Sequence, residues 1–160
     1  MRNLAALIVV SVASVGVCAD QKEPKADKAL NGWWRPHSAM MAGKELPGEE
    51  LNHRYLQLSN GVYMLNQGDQ VDEGTYKIDE SDNPKTITFV VTKGDNKGKT
   101  TLGIYEVEKK SLRICFDASG KTRPTKFESK PDTQSFLASY HRLPNNRRAM
   151  RAQGAGGTDQ

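Results

Sequence analysis

The sequence predicts an all-β chain: an antiparallel up-and-down barrel of eight strands, with an open β-sandwich as the alternative. Three observations carry that reading. From Leu30 to Leu143 apolar and polar residues alternate in short runs, with no helical repeat longer than a turn. Turn residues separate the runs at regular intervals, giving eight or nine strands. Closing such a sheet removes edges that would template aggregation, and roughly 115 residues suffice for eight strands.

The first strand is "GWWRPHSAMMAG" (32–43), in which Pro36 requires a bulge or an edge position. "KELPGEEL" then makes a loop or a single helical turn. "RYLQLSN" and "GVYMLNQ" form a hairpin around Asn60-Gly61, the strongest short-range turn signal in the chain. "VDEGTYKID" alternates next and reverses at "ESDNP". "KTITFVVTK" is the most apolar strand, and "GDNKGK" turns it into "TTLGIYEVE", which makes a hairpin with "SLRICFD" across Lys109 and Lys110. "TKFESK" (125–130) and "SFLASYHRL" (135–143) complete the sheet. Alternation gives each strand one apolar face: Ile87, Phe89 and Val91; Leu102 and Ile104; Leu112, Ile114 and Phe116; Phe136, Ala138 and Tyr140. These are the expected core residues.

The flanking segments differ in texture. Residues 1–19 read as a secretory signal, with Arg2 as the positive n-region, Leu4 to Val12 as the apolar region, and Val17-Cys18-Ala19 as the cleavage site. The apolar stretch is too short and too interrupted for a transmembrane segment, so an exported, periplasmic or extracellular product is expected. The alternative is a lipoprotein anchored through Cys18, although the preceding Val15-Gly16-Val17 puts a branched residue where that signal wants glycine or alanine. Residues 20–29 form a polar linker with three acids balanced by three lysines. Residues 144–160 form a glycine-rich basic tail expected to stay disordered.

Charge and cysteine content exclude some function classes. The net charge is +4; Arg2 leaves with the signal, and Arg147, Arg148 and Arg151 against Asp159 place +2 of the remaining +3 in the tail. The folded part is nearly neutral, with no basic stripe interleaved with aromatics, so nucleic acid is not an expected partner. The tail is either a solvated end or a weak contact for anionic surfaces. With Cys18 removed, Cys115 is the only thiol, and no internal disulfide forms. Cys115 reads as a small buried apolar group rather than a reactive thiol.

No catalytic or metal constellation emerges. His37, His53 and His141 lack the spacing that presents two ligands to one metal from a single element. Closure of the sheet could make neighbours of His37 and His141, as a metal or general-base pair or as ordinary polar strand residues. The acids of "DESDNP" and "GDNKG" lack the ligand spacing of a calcium loop and read as turns. Lys121 and Arg123 in "SGKTRPTKF" read as an exposed charged turn, with an anion site as the alternative. There is no nucleophile elbow, phosphate loop or metalloprotease helix, and no cofactor is expected.

"LNGWW" resembles the L-x-G-x-W motif that opens lipocalin-like barrels. The resemblance implies that Gly32, Trp34 and Arg142 form a structural plug: the tryptophan closes the barrel floor, and a basic residue of the last strand lies over its ring. "GKELPGEEL", "DEGTYKID", "NPKTITF", "KGKTTLGIYEVE", "SLRICF" and "GKTRPTKF" are similar, in order, to a family of uncharacterised exported domains from planctomycete bacteria. The likeness spans about residues 30 to 143 and implies a lipocalin-like fold with no established activity. Trp33 and Trp34 point to opposite sides of a strand, and the motif selects Trp34 for the interior.

Two functional readings follow. One is a non-enzymatic exported binding module that takes a small lipophilic molecule at the end away from Trp34, with Tyr63, Tyr76, Phe89, Ile104 and Phe116 as its wall. The other is a fully packed envelope structural or protein-interaction domain whose protein partner the sequence does not name. Cavity volume separates them: roughly 300 Å³ or more with a few polar groups supports the first.

Overall fold

The computed structural model describes residues 28–144; the expected signal with Cys18, most of the linker and nearly all of the tail lie outside them. Within this range the chain forms β1 (Gly32–Met41), β2 (Lys44–Glu45), α1 (Gly48–Asn52), β3 (Arg54–Ser59), β4 (Val62–Gln67) and β5 (Gln70–Asp79). It continues with β6 (Lys85–Lys93), β7 (Thr100–Val107), β8 (Ser111–Asp117) and β9 (Ser135–Arg142). Every pairing is antiparallel, and β9 returns to pair with β1. Eight strands therefore close into a barrel, with the two-residue β2 appended to β1.

Local chemistry explains the joints. Asn60 and Gly61 have φ of 47° and 84°, the left-handed pair that a two-residue hairpin needs and that Asn-Gly adopts at low cost. The Asn31 carboxamide clasps this turn, accepting from Asn60 N at 2.8 Å and donating to Asn60 Oδ1 at 3.0 Å. In β1 the register with β9 shifts between Pro36 and Ser38, leaving His37 as the extra residue of a bulge. Pro36 has no N–H for the ladder, so the irregularity falls beside it.

Residues directly opposite across the strands share a face, which defines the interior. Trp34 pairs with Leu56 and Arg142, Tyr76 with Phe89, and Ile114 with Ala138. Ile87 pairs with Gly103, so Gly103, Tyr105 and Val107 form the inner face of β7. Leu102 and Ile104, expected inside, therefore lie on the outer face. A Cβ at Gly103 would stand 3.3 Å from Ile87 Cγ2 and from Phe116 Cβ, so the missing side chain leaves space that its neighbours fill.

The expected strand at 125–130 is absent. Residues 118–134 instead form an irregular strap along the outside of β7 and β8. Pro124 and Pro131 interrupt this segment, Phe127 is the only large apolar residue between them, and β8 is already paired with β9. Arg123 donates to Ile87 O at 2.8 Å, to Thr88 Oγ1 at 2.9 Å and to Gly103 O, while Phe127 lies 4.2 Å beneath the Arg113 guanidinium. Cys115 Sγ contacts Glu128 O at 3.4 Å. The cross-strand pair Ile104 and Cys115 is thus fully covered on the outer face, and burial pushes the Cys115 thiol pKa up.

Candidate functional site

The two ends of the barrel differ. The turns at 60–61, 80–84 and 108–110 lie at the Trp34 end. Trp34 is fully buried there, and its Nε1 donates to Leu30 O at 2.8 Å. The Arg142 guanidinium lies 4.1 Å from the Trp34 ring centroid and donates to Asn31 O, Ala29 O and, at 3.1 Å, Lys109 O. One cation thereby covers the indole and ties three backbone carbonyls together. Gly32 makes this geometry accessible: its φ is 147°, and a Cβ would sit 2.6 Å from Arg142 Nη1. Trp33 faces outward, half-buried, with its ring 5.3 Å from that of Tyr55.

The opposite end carries α1, the 68–69 turn, the 94–99 loop and the origin of the strap. Below it lies a cavity of about 320 Å³. Its walls include Tyr63, Phe89, Phe116, Phe136 and Tyr140, and Leu51 of α1 closes over it. Tyr63 and Phe89 meet edge to face at 5.0 Å, whereas Phe116 and Phe136 stack at 4.8 Å. Alternating inward residues on strands from around the barrel thus give an apolar chamber with aromatic rings set among aliphatic side chains.

Three of the five expected wall residues, Tyr63, Phe89 and Phe116, line this chamber. Tyr76 is inside and buried but does not line it; its ring lies 6.2 Å from that of Phe89. Ile104 does not line it, because it lies on the outer face beneath the strap.

Polar groups gather at the open end. Arg54 lines the chamber and pairs with Glu50 of α1 at 3.3 Å. Asp72, on the inner face of β5, is only 4% exposed. Its Oδ2 accepts from Asn96 Nδ2 at 2.7 Å, its Oδ1 from Asn96 N at 3.4 Å, and Lys99 Nζ donates to Asn96 Oδ1 at 2.6 Å. A Cβ at Gly94 would come within 2.3 Å of Asp72 Oδ1, so the glycine lets the loop approach the carboxylate. The strand pattern held a signal for Asp72: once Tyr76 faces inward, Gly74 and Asp72 share its face. Asn96 and Lys99 were legible only as turn residues, since their place over the barrel mouth depends on the loop's path.

Burial, and secondarily the charge of Asp72, push the Tyr63 phenol up to about 12 from 10.0. The folded state holds this proton more tightly than the unfolded chain does. The associated stabilisation is complete below the unfolded pKa and is lost as pH rises from about 10 towards 12. In an alkaline titration followed by phenolate absorbance, Tyr63→Phe is expected to remove a transition near 12. Loss of a transition in the ordinary tyrosine range instead would contradict this environment.

The other candidates occupy different surroundings. His37 and His141 stack on the outer face with ring centroids 5.8 Å apart, and both are exposed; His53 caps the C-terminal end of α1. Among the described residues no group of three or more His, Cys, Asp or Glu side chains could hold a metal ion. Arg123 differs from the expected exposed turn because backbone carbonyls and Thr88 engage its guanidinium. No helix among the described residues is long and apolar enough to cross a membrane. No family model, curated protein or solved structure matches this chain.

Proposed function

We propose that this chain is an exported, non-enzymatic barrel that binds a small lipophilic ligand, and that it belongs with the exported lipocalin-like domains it resembles. The observation that carries the binding reading is the chamber of about 320 Å³, lined by aliphatic and aromatic side chains and with polar groups at its mouth. A fully packed interaction domain would fill that space with its own side chains. Export is supported by Arg2, the apolar run from Leu4 to Val12 and the small-residue site at Val17-Cys18-Ala19. The family reading rests on "LNGWW" and on the ordered motifs that follow it.

Native mass spectrometry of the gently purified full chain tests the proposal. An extra mass that disappears on denaturation is expected. Ala39→Phe, which places a ring in the chamber, is expected to abolish that mass while leaving the far-ultraviolet spectrum unchanged. A bare wild-type chain that also stays bare after incubation with octan-1-ol would overturn the binding reading. A covalent lipid mass on Cys18 would replace free export with a membrane-anchored product.

A further inference from the structure

The charge and ring content of the chamber specify its ligand more closely, an inference that rests on the binding reading above. Asp72 is almost completely buried in the chamber wall, and Asn96 supplies both of its hydrogen bonds. Among the described residues no cation pairs with it. Two cations share the chamber lining but are engaged elsewhere: Lys99 donates to the Asn96 carboxamide, and Arg54 is paired with Glu50. A desolvated carboxylate without a cationic partner is energetically costly and favours a bound positive charge.

The rings supply a second, independent observation. Tyr63, Phe89, Phe116, Phe136 and Tyr140 surround the same space, and the negative π-faces of aromatic rings attract ammonium groups. At roughly 30 Å³ per non-hydrogen atom, by analogy with liquid water, the volume accommodates about ten such atoms.

We infer that the ligand is a small organic ammonium compound, its apolar body among the rings and its protonated nitrogen on the Asp72 carboxylate. A simple fatty acid would place its own carboxylate in the chamber that holds Asp72. The charge repulsion favours the amine.

The test is calorimetric titration of the full chain with n-octylammonium, octan-1-ol and octanoate, which share one alkyl chain and differ at the head. Octylammonium is expected to bind about ten-fold or more tightly than either of the others, as a hydrogen bond to a charged group would give. Octan-1-ol is expected to compete with it. Asp72→Asn is expected to bring octylammonium and octan-1-ol within about three-fold of each other, the residue of a preference from which the charged bond is gone. If that variant does not fold, Tyr63→Leu, which removes the ring that senses the Asp72 charge, is expected to weaken octylammonium more than octan-1-ol. Equal or tighter binding of octan-1-ol or octanoate by the wild type overturns the head-group inference alone, as does an ammonium preference that survives Asp72→Asn. Failure of all three probes to bind overturns it together with the lipophilic-binding reading.

Discussion

Trp34→Ala is expected to lower the unfolding free energy by about 3 to 5 kcal/mol, the cost of truncating a buried aromatic side chain. Removing the indole leaves a void at the Trp34 end, deprives Arg142 of the ring beneath its guanidinium and deletes the bond to Leu30 O. The cation itself accounts for about 0.5 to 2 kcal/mol, so packing dominates the loss. Trp33→Ala should cost much less, since Trp33 is half-buried on the outer face, with its ring 5.3 Å from that of Tyr55. Urea unfolding of the two variants checks the order. A larger loss for Trp33→Ala would mean that the barrel floor is assigned to the wrong indole.

A single methyl group at Gly74 should have a comparably large effect. Gly74 lies at the register shift between β5 and β6, where a Cβ would sit 2.0 Å from Val90 O and 2.6 Å from Tyr63 Cε1. A backbone carbonyl cannot move aside without disrupting the adjacent β5–β6 pairing. Gly74→Ala is therefore expected to destabilise by about 3 kcal/mol, the upper end of the usual cost of overpacking. Gly48→Ala is the control, because nothing lies within 4 Å of a Cβ there; it should leave the urea midpoint nearly unchanged. Equal midpoints for the two variants would contradict the close approach of β5 and β6.

Much of this architecture was legible in local sequence signals. Asn60-Gly61 specifies its hairpin because few other dipeptides adopt two successive positive φ values readily. Pro36 announces the bulge because it cannot complete the ladder. Gly32 and Trp34 suit the closed end because the absent side chain of one leaves room for the guanidinium that covers the other.

Features that depend on alternatives of similar local energy were less legible. In "TLGIYEV", Leu102 and Ile104 make one apolar alternation and Tyr105 and Val107 make the other. The choice is made by register, since Gly103 must face Ile87. Ile104 nevertheless becomes buried, because the strap covers the outer face there, so an apolar residue on β7 does not identify the inside. The strap resembles a strand in sequence because Thr125, Phe127 and Ser129 alternate with charged residues, yet both edges of β7 and of β8 beneath it are already paired. Asp72 was hidden for the opposite reason. A carboxylate on an alternating strand normally marks the solvent face, and the Asn96 contacts that hold it inside come from a loop 24 residues further along the chain.

The barrel is closed at Trp34 and hollow at the other end. A crystal structure determined under xenon pressure tests it most directly, because xenon occupies apolar cavities without needing a specific head group. Xenon density is expected among Phe89, Phe116 and Phe136, with the Trp34 indole sealing the far end. An interior filled by these side chains, with no xenon between them, would contradict it.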